Sequence, residues 1–396
     1  MSERVALLTG GGDKPYALGM AMALSSVGTP LDFIGSDELE SPVLLNDPQI
    51  RFLNLRGDQR SDVSAAKKLL RVAIYYLRLL GYAATAEPKI FHILWNNKFQ
   101  FFDRTVLILY YKLLGKKIPI TVHNVNAGQR DANDTWLNRF SLRTQYRLAD
   151  HIFVHTDKMK SEMVGGFSIA PEKVSVIPFG INNTVPNTTL STSEAKRQVG
   201  VGATDKTMLF FGNIAPYKGL DILVAAFIDL AKADPRYRLL IVGRPKQDSG
   251  SWRRIEEVIA RSEVRDRVEK RIEFVPDEET ELYFKAADVL ILPYRHVFQS
   301  GVLFLGYSFG LPAIVTDVGS LREEIVEGET GFVAPSPHPA ELSRTITRYF
   351  TSDLYRELGE RRTKIKQYAN DRYSWSKVAA MTTNVYSNLL GGPRAF

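Results

Sequence analysis

Thr207-Met-Leu-Phe-Phe-Gly-Asn-Ile-Ala-Pro-Tyr-Lys-Gly-Leu-Asp-Ile-Leu-Val-Ala-Ala-Phe-Ile-Asp-Leu-Ala-Lys-Ala233, followed by Arg238-Leu-Leu-Ile-Val242, carries the pattern from which the fold follows. Thr207–Phe211 is a short apolar run with β-type residues, Leu220–Ala233 repeats its apolar residues at helical spacing, and Arg238–Val242 is apolar again. A strand, a helix and a second strand in that order form a right-handed βαβ unit, which makes the two strands parallel neighbours.

Working outward, the alternation continues in both directions. Downstream, Arg271–Phe274, Val289–Leu292, Ala313–Thr316 and Gly331–Ala334 read as strands. Upstream, Val5–Thr9, Leu31–Ile34, Lys89–Leu94, Ile118–His123, Ile152–His155 and Val174–Pro178 form an earlier series, with a helix over Tyr16–Ser26. Two such series predict an α/β chain of two Rossmann-like, doubly wound parallel-sheet domains. Periodicity breaks across Ile181–Thr192. The expected division is 1–183 for the first domain and 184–365 for the second, with 366–396 as a terminal helical segment. A length of 396 residues suits two cores, since single cores stop growing at roughly 250–300 residues.

Composition narrows the function. The absence of cysteine excludes a disulfide framework, thiolate metal sites and a cysteine nucleophile. No run of about 18 uncharged apolar residues occurs, and the N-terminus reads as a strand rather than a leader, so a cytoplasmic location is expected. No metal site and no serine hydrolase is expected. The formal charge of +7 is concentrated. Residues 64–117 hold ten Lys and Arg against two acids, a local +8, which leaves −1 for the remainder. Two helical stretches there, from Lys67 and from Arg104, interleave those cations with Tyr and Leu. Such helices either lie on an anionic membrane or cover a sheet with their long cations snorkelling. No nucleic-acid-binding module is recognisable, so nucleic acid is not expected as a partner.

Two loops are candidate anion sites. In the first, the strand ends at Gly212-Asn213, and Lys218-Gly219 precedes the helix starting at Leu220. A cation and free N–H groups at a helix N-terminus suit a diphosphate, although a surface lysine beside a turn glycine has the same spacing. In the second, Leu290-Ile-Leu-Pro-Tyr-Arg295 leads to Gln299-Ser300-Gly301, which opens an apolar helix over Val302–Phe309. Ser300 at that position is also an ordinary N-cap.

These loops, with Pro178-Phe-Gly-Ile-Asn-Asn183 and Gly319-Ser-Leu-Arg-Glu-Glu-Ile-Val-Glu-Gly-Glu-Thr-Gly-Phe-Val333, resemble a retaining glycosyltransferase of the GT-B fold, in the bacterial group 1 or family 4 class. The resemblance implies two domains facing across a cleft, with the second holding a UDP- or GDP-linked sugar and no other cofactor. By that likeness Lys218 is the phosphate-binding lysine, with Gly212 and Gly219 in its loop. Gly10, Gly11 and Gly12 are the N-terminal glycine loop, His123 lies near the transferred sugar, and Glu323 is the acid of the last motif. The helix around Tyr373-Ser-Trp375 braces the first domain. Two departures stand out: Asn213 replaces a usual arginine, and Val297 and Leu305 occupy the places of two glutamates. Gln299 is a candidate for the first of those roles, and Arg295 for the missing phosphate cation.

The implied activity is metal-independent transfer of a hexosyl group to a glycan or polyprenyl-diphosphate-linked acceptor, with retention, in surface polysaccharide or glycolipid assembly. An inactive nucleotide-sugar-binding protein and a GT-B epimerase remain the alternatives. An anionic membrane surface is the expected partner of 64–117.

Overall fold

The computed structural model describes residues 3–60, 63–130, 134–183, 185–245, 250–297 and 299–391. It divides into two compact units, Met1–Gly180 with Tyr373–Phe396, and Ile181–Arg372. Residue 184, where the second domain was expected to begin, lies outside the described residues. The helix Leu358–Arg372 belongs to the second unit, and the chain returns to the first at Tyr373.

The first unit holds a sheet of β1 (Val5–Leu8), β2 (Leu31–Gly35), β3 (Ile50–Asn54), β4 (Ile90–Ile93), β5 (Pro119–Thr121), β6 (His151–Val154) and β7 (Val174–Val176). Its order is β3-β2-β1-β4-β5-β6-β7, all parallel. The second holds β8 (Lys206–Phe211), β9 (Tyr237–Val242), β10 (Val268–Arg271), β11 (Val289–Leu292), β12 (Ala313–Thr316) and β13 (Gly331–Ala334). Its order is β10-β9-β8-β11-β12-β13, again parallel throughout. Both are doubly wound, and strand order reverses at β1/β4 and at β8/β11. Those reversals are where open α/β sheets bind ligands, at the carboxyl ends of the strands.

Parallel strands covered on both faces must be apolar on both faces. β1, β11 and β12 are accordingly buried at every residue. The two departures from the expected strands are both at sheet edges. β3, with Arg51 and Asn54 in its run, was not foreseen, and β10 lies at Val268–Arg271 rather than Arg271–Phe274. β10 reads Val-Glu-Lys-Arg with three exposed side chains. An edge strand needs one ladder and little burial, so its sequence need not be apolar.

The first unit's core closes with the final helix, Trp375–Leu389. Its Val378, Val385 and Tyr386 join Val5 and Leu7 of β1 and Tyr16, Met20 and Leu24 of the helix Lys14–Ser26. Asp13 caps that first helix by accepting from the Tyr16 N–H at 3.0 Å.

Candidate functional site

In the second unit the loop after β8 turns at Gly212, whose φ is +98°, and leads through exposed Asn213 to a short helical turn, Pro216–Lys218. Gly219 then takes φ +65° and starts the helix Leu220–Ala233. A Cβ there would lie 2.0 Å from the Pro293 carbonyl oxygen, so the loops after β8 and β11 touch through a bare α-carbon. That packing turns Lys218 inward. Its side chain is buried, with Nζ 5.5 Å from the centre of the Tyr294 ring. Burial lowers the Lys218 pKa, with Tyr217 opposing. No carboxylate among the described residues pairs with it. A Cβ placed on Gly212 would be 3.1 Å from Lys218 Nζ and 3.5 Å from a Val302 methyl, so three elements converge there.

Val302 lies in the first turn of the second candidate helix, Gly301–Ser308. Ser300 precedes it but does not cap it. The buried Ser300 hydroxyl sits 3.2 Å from the Tyr294 hydroxyl instead, and the ordinary N-cap reading is corrected. The first N–H groups of this helix thus receive no side-chain acceptor from Ser300.

Arg295 is held by the phosphate loop itself. Its guanidinium donates to both Asp221 carboxylate oxygens, at 2.8 and 2.6 Å, and to the Pro216 carbonyl at 2.9 Å. Burial alone would raise the Asp221 carboxyl, but Arg295, with the Asp221 and Ile222 backbone N–H groups, more than offsets it and leaves it below its ordinary value. Arg295 therefore clasps the loop while its charge is balanced by Asp221. Glu323, the acid expected from the last motif, has an exposed side chain. Its neighbour Glu324 is buried and accepts from Gln299 Nε2 at 3.3 Å. Gln299 Oε1 is shut off from solvent without a hydrogen-bond partner. Leu305 is packed in the core of this unit, as an apolar residue should be.

In the first unit the reversal point carries Gly10, Gly11 and Gly12. Side chains there would collide with the Trp95 carbonyl, the Arg56 guanidinium and the Trp95 indole respectively, each about 2 Å from the Cβ position (2.0, 2.0 and 1.9 Å). Beside them, His123 stacks on Trp95 with ring centres 4.1 Å apart, and Tyr16 meets it edge-on at 4.6 Å. His123 Nδ1 bonds to His155 Nε2 at 3.0 Å, and His155 Nδ1 faces the Ile177 carbonyl at 3.3 Å. A carbonyl only accepts, so Nδ1 of His155 carries the proton. Burial pushes the His155 pKa down to about 4, so its Nε2 is then an acceptor. His123 then faces His155 through Nδ1, and its Nε2 is shut off from solvent without a hydrogen-bond partner. Burial, then His155 and His92, depress the His123 pKa well below its ordinary value, with the Leu94 carbonyl opposing. His92 is structural: it is buried between the Tyr386 hydroxyl at 2.5 Å and the Thr121 hydroxyl at 2.8 Å. No group of three or more His, Asp or Glu that could hold a metal gathers among the described residues.

With this geometry in hand, the similarities to known proteins can be weighed. The model of "Glycosyl transferases group 1" matches residues 191–372, and that of "Glycosyltransferase Family 4" matches 34–184. The chain belongs to the group 1 glycosyltransferases. It is 28% identical over 249 residues to the D-inositol 3-phosphate glycosyltransferase of Corynebacterium efficiens, an alignment covering 60% of this chain and 56% of that relative. The chain thus spans little more than half of that relative's length. Its fold resembles sucrose-phosphate synthase from Thermosynechococcus elongatus, with a TM-score of 0.79, 20% identity and coverage of 98% and 99% of the two chains. It also resembles Anabaena HepE in complex with UDP-glucose, with a TM-score of 0.75, 15% identity and coverage of 98% and 100%. The architecture is two Rossmann-like α/β domains of GT-B type.

Sequence reading missed Trp95 and His155 as neighbours of His123 and Arg56 beside the glycine loop in the first unit, and Glu324 in the second. The histidine pair was recoverable. Pairing of Thr121 with Phe153 in parallel β5 and β6 puts position 123 opposite 155 two residues on. The others are tertiary contacts with no local signal.

Proposed function

We propose that the chain transfers a sugar from a nucleoside-diphosphate sugar to an acceptor, with the second unit holding the donor diphosphate. The observation that carries this is buried Lys218, whose ammonium has no carboxylate partner among the described residues and lies beside Gly212 and the start of the helix Gly301–Ser308. Cleaving the anomeric C–O bond leaves growing negative charge on the departing diphosphate. Lys218 and the N–H groups at the two helix starts are the groups that would stabilise it. HepE's complex with UDP-glucose supports a UDP-linked donor. The family's retaining chemistry supports attack from the face the nucleotide leaves. Because cationic and backbone donors supply the neutralisation, full turnover is expected in excess EDTA.

Lys218→Ala is expected to lower transfer by at least about a hundredfold, since one well-placed donor contributes roughly 3–4 kcal/mol. Nucleoside diphosphate release with donor and acceptor present measures it, and undiminished turnover refutes the assignment. A donor-binding protein without turnover is the second reading, favoured by Leu305 in place of a carboxylate. It predicts donor binding with no acceptor-dependent release.

For the acceptor side, we propose contact with an anionic membrane through 64–117. The helix Ala65–Thr85 leaves Leu69, Leu70 and Leu77 at least 60% exposed, and Leu113 is 79% exposed. Part of the basic excess is spent internally. Arg104 is buried against Asn138 and Gln100, Lys112 pairs with Asp150 at 2.7 Å, and Lys116 donates to the Ala86 and Pro88 carbonyls. Exposed leucines beside Lys67 and Lys68 remain, a combination that suits the headgroup region. No helix among the described residues is long and apolar enough to cross a membrane. Co-sedimentation with anionic but not neutral liposomes is expected, weakening with salt.

A further inference from the structure

A cationic concavity lies in the first unit. The loop after β3 and the start of the helix Ala65–Thr85 enclose a cavity of about 220 Å³. Arg56, Arg60, Lys68, Arg71 and Lys98 line it, with Asp58 as the carboxylate of the lining. Asp58 is already engaged, by Arg60 at 2.9 Å and Arg71 at 3.4 Å. Arg71 is further tied to the Asp58 and Arg60 carbonyls, so it braces the wall.

Arg56 is different. Its guanidinium lies over the Tyr75 ring at 5.6 Å and reaches the Gln59 amide oxygen at a long 3.4 Å. No carboxylate among the described residues pairs with it, nor with Lys68 or Lys98. The Tyr75 ring is fixed in turn, its hydroxyl donating to Asn97 Oδ1 at 2.6 Å. Arg56 Nη1 also lies where a Gly11 Cβ would be, 2.0 Å from that position, so the cavity adjoins the glycine loop. A planar guanidinium over a tyrosine ring, with Lys68 and Lys98 in the same lining, is suited to a phosphate, which it can bind through two parallel N–H donors. Unpaired cations in a concavity also concentrate anions from solution.

We propose that this pocket binds the phosphate monoester or diphosphate of the acceptor, with Arg56 as its principal ligand. This rests on the glycosyltransferase reading for the word acceptor, and on the pocket alone for the phosphate. A soluble phosphorylated acceptor and a lipid headgroup share this chemistry.

The test titrates glycerol 1-phosphate, and separately UDP, GDP and ADP, into the full chain by calorimetry at low salt. Vesicles of phosphatidylcholine with and without phosphatidic acid form the lipid arm. Wild type is expected to bind glycerol 1-phosphate, phosphatidic acid vesicles or both, and the arm that binds names the source. Arg56→Gln is expected to weaken that binding at least about tenfold, the loss of one charge-assisted pair. Arg56→Lys is expected to weaken it less. Lys98→Gln, at an exposed position that does not endanger folding, is expected to weaken it several-fold. Nucleotide affinity is expected to stay unchanged in Lys98→Gln. The pocket proposal is overturned if wild type binds no phosphate in either arm, or if R56Q and K98Q both bind like wild type. In that event retained nucleotide binding leaves the glycosyltransferase reading standing. Phosphate binding without any nucleotide binding overturns that reading instead and leaves the pocket.

Discussion

Glu323 and Glu324 are adjacent in sequence, yet one faces solvent and the other is buried against Gln299. A carboxylate is costly to bury, so Glu324 has to be held by donors, and the Gln299 amide is one of them. That bond orients Gln299 and leaves its carbonyl oxygen, shut off from solvent, without a donor. A hydroxyl of the bound sugar or ribose is the kind of donor it lacks. Gln299→Leu is therefore expected to lower kcat/KM for the donor by about tenfold or more, the range of one hydrogen bond to a group otherwise left unpaired. Glu324→Gln is expected to act in the same direction through loss of Gln299 orientation. Steady-state kinetics beside thermal unfolding separates this from a packing role, which would lower the melting temperature and leave kcat/KM intact. The Glu-Glu doublet itself was legible in the sequence. Which member points inward depends on the short helical turn Leu321–Glu324, whose handed geometry no periodicity in so few residues reveals. Lys218 and Gly219 were legible as one candidate anion site from the helix start they precede, and the role of Gly10, Gly11 and Gly12 came from family likeness rather than from spacing.

At the scale of elements, the helix Trp375–Leu389 shows how a distant segment becomes part of the first unit. Trp375 packs against two bare α-carbons: a Cβ at Gly19 would lie 2.2 Å from its ring, and one at Gly180 2.6 Å. Further along, the Tyr386 hydroxyl reaches His92 in β4, 294 residues earlier in the chain. Tyr386→Phe removes that hydroxyl and leaves a buried imidazole nitrogen unpaired. A loss of about 1–3 kcal/mol is expected, measured by urea unfolding of the first unit. An unchanged midpoint would show that the bond contributes nothing. The helix was legible from its apolar spacing, and its docking followed from family likeness rather than from any local signal. The strands with buried neighbours on both sides were legible too, within a residue or two. β3 and β10 were not, because Arg51 and the Glu-Lys-Arg of β10 face outward at sheet edges where solvent accepts them.

Across the whole molecule, buried histidines are confined to one unit. His92, His151 and His155 are at most 9% exposed in the first unit, whereas His296 and His338 of the second are exposed. Burial lowers the His92 pKa to about 3, with His151 adding to it. Burial also lowers His151 and His155 to about 4, the former helped by Lys160 and Lys173. An unfolded histidine titrates near 6.5. Between that value and the folded pKa the unfolded chain binds more protons than the folded one. Stability is then complete above about pH 6.5 and falls as pH drops toward 4. At pH 5 each fully depressed histidine costs about 2 kcal/mol, so these three together with His123, which is depressed as well, are a large fraction of a domain's usual 5–15 kcal/mol. Asp103 and Glu162 of the first unit, raised by burial, act in the opposite direction, because the folded chain then holds their protons more tightly than the unfolded one. Calorimetry at pH 7.5 and pH 5.0 is expected to show the first unit's transition moving down sharply while the second's moves little. His92→Gln is expected to unfold more easily at pH 7.5 yet to lose about a quarter of the difference between the two pH values, one of four depressed histidines. A downward shift of both transitions together, or a pH dependence in H92Q as steep as in wild type, would place the acid sensitivity elsewhere than in these imidazoles.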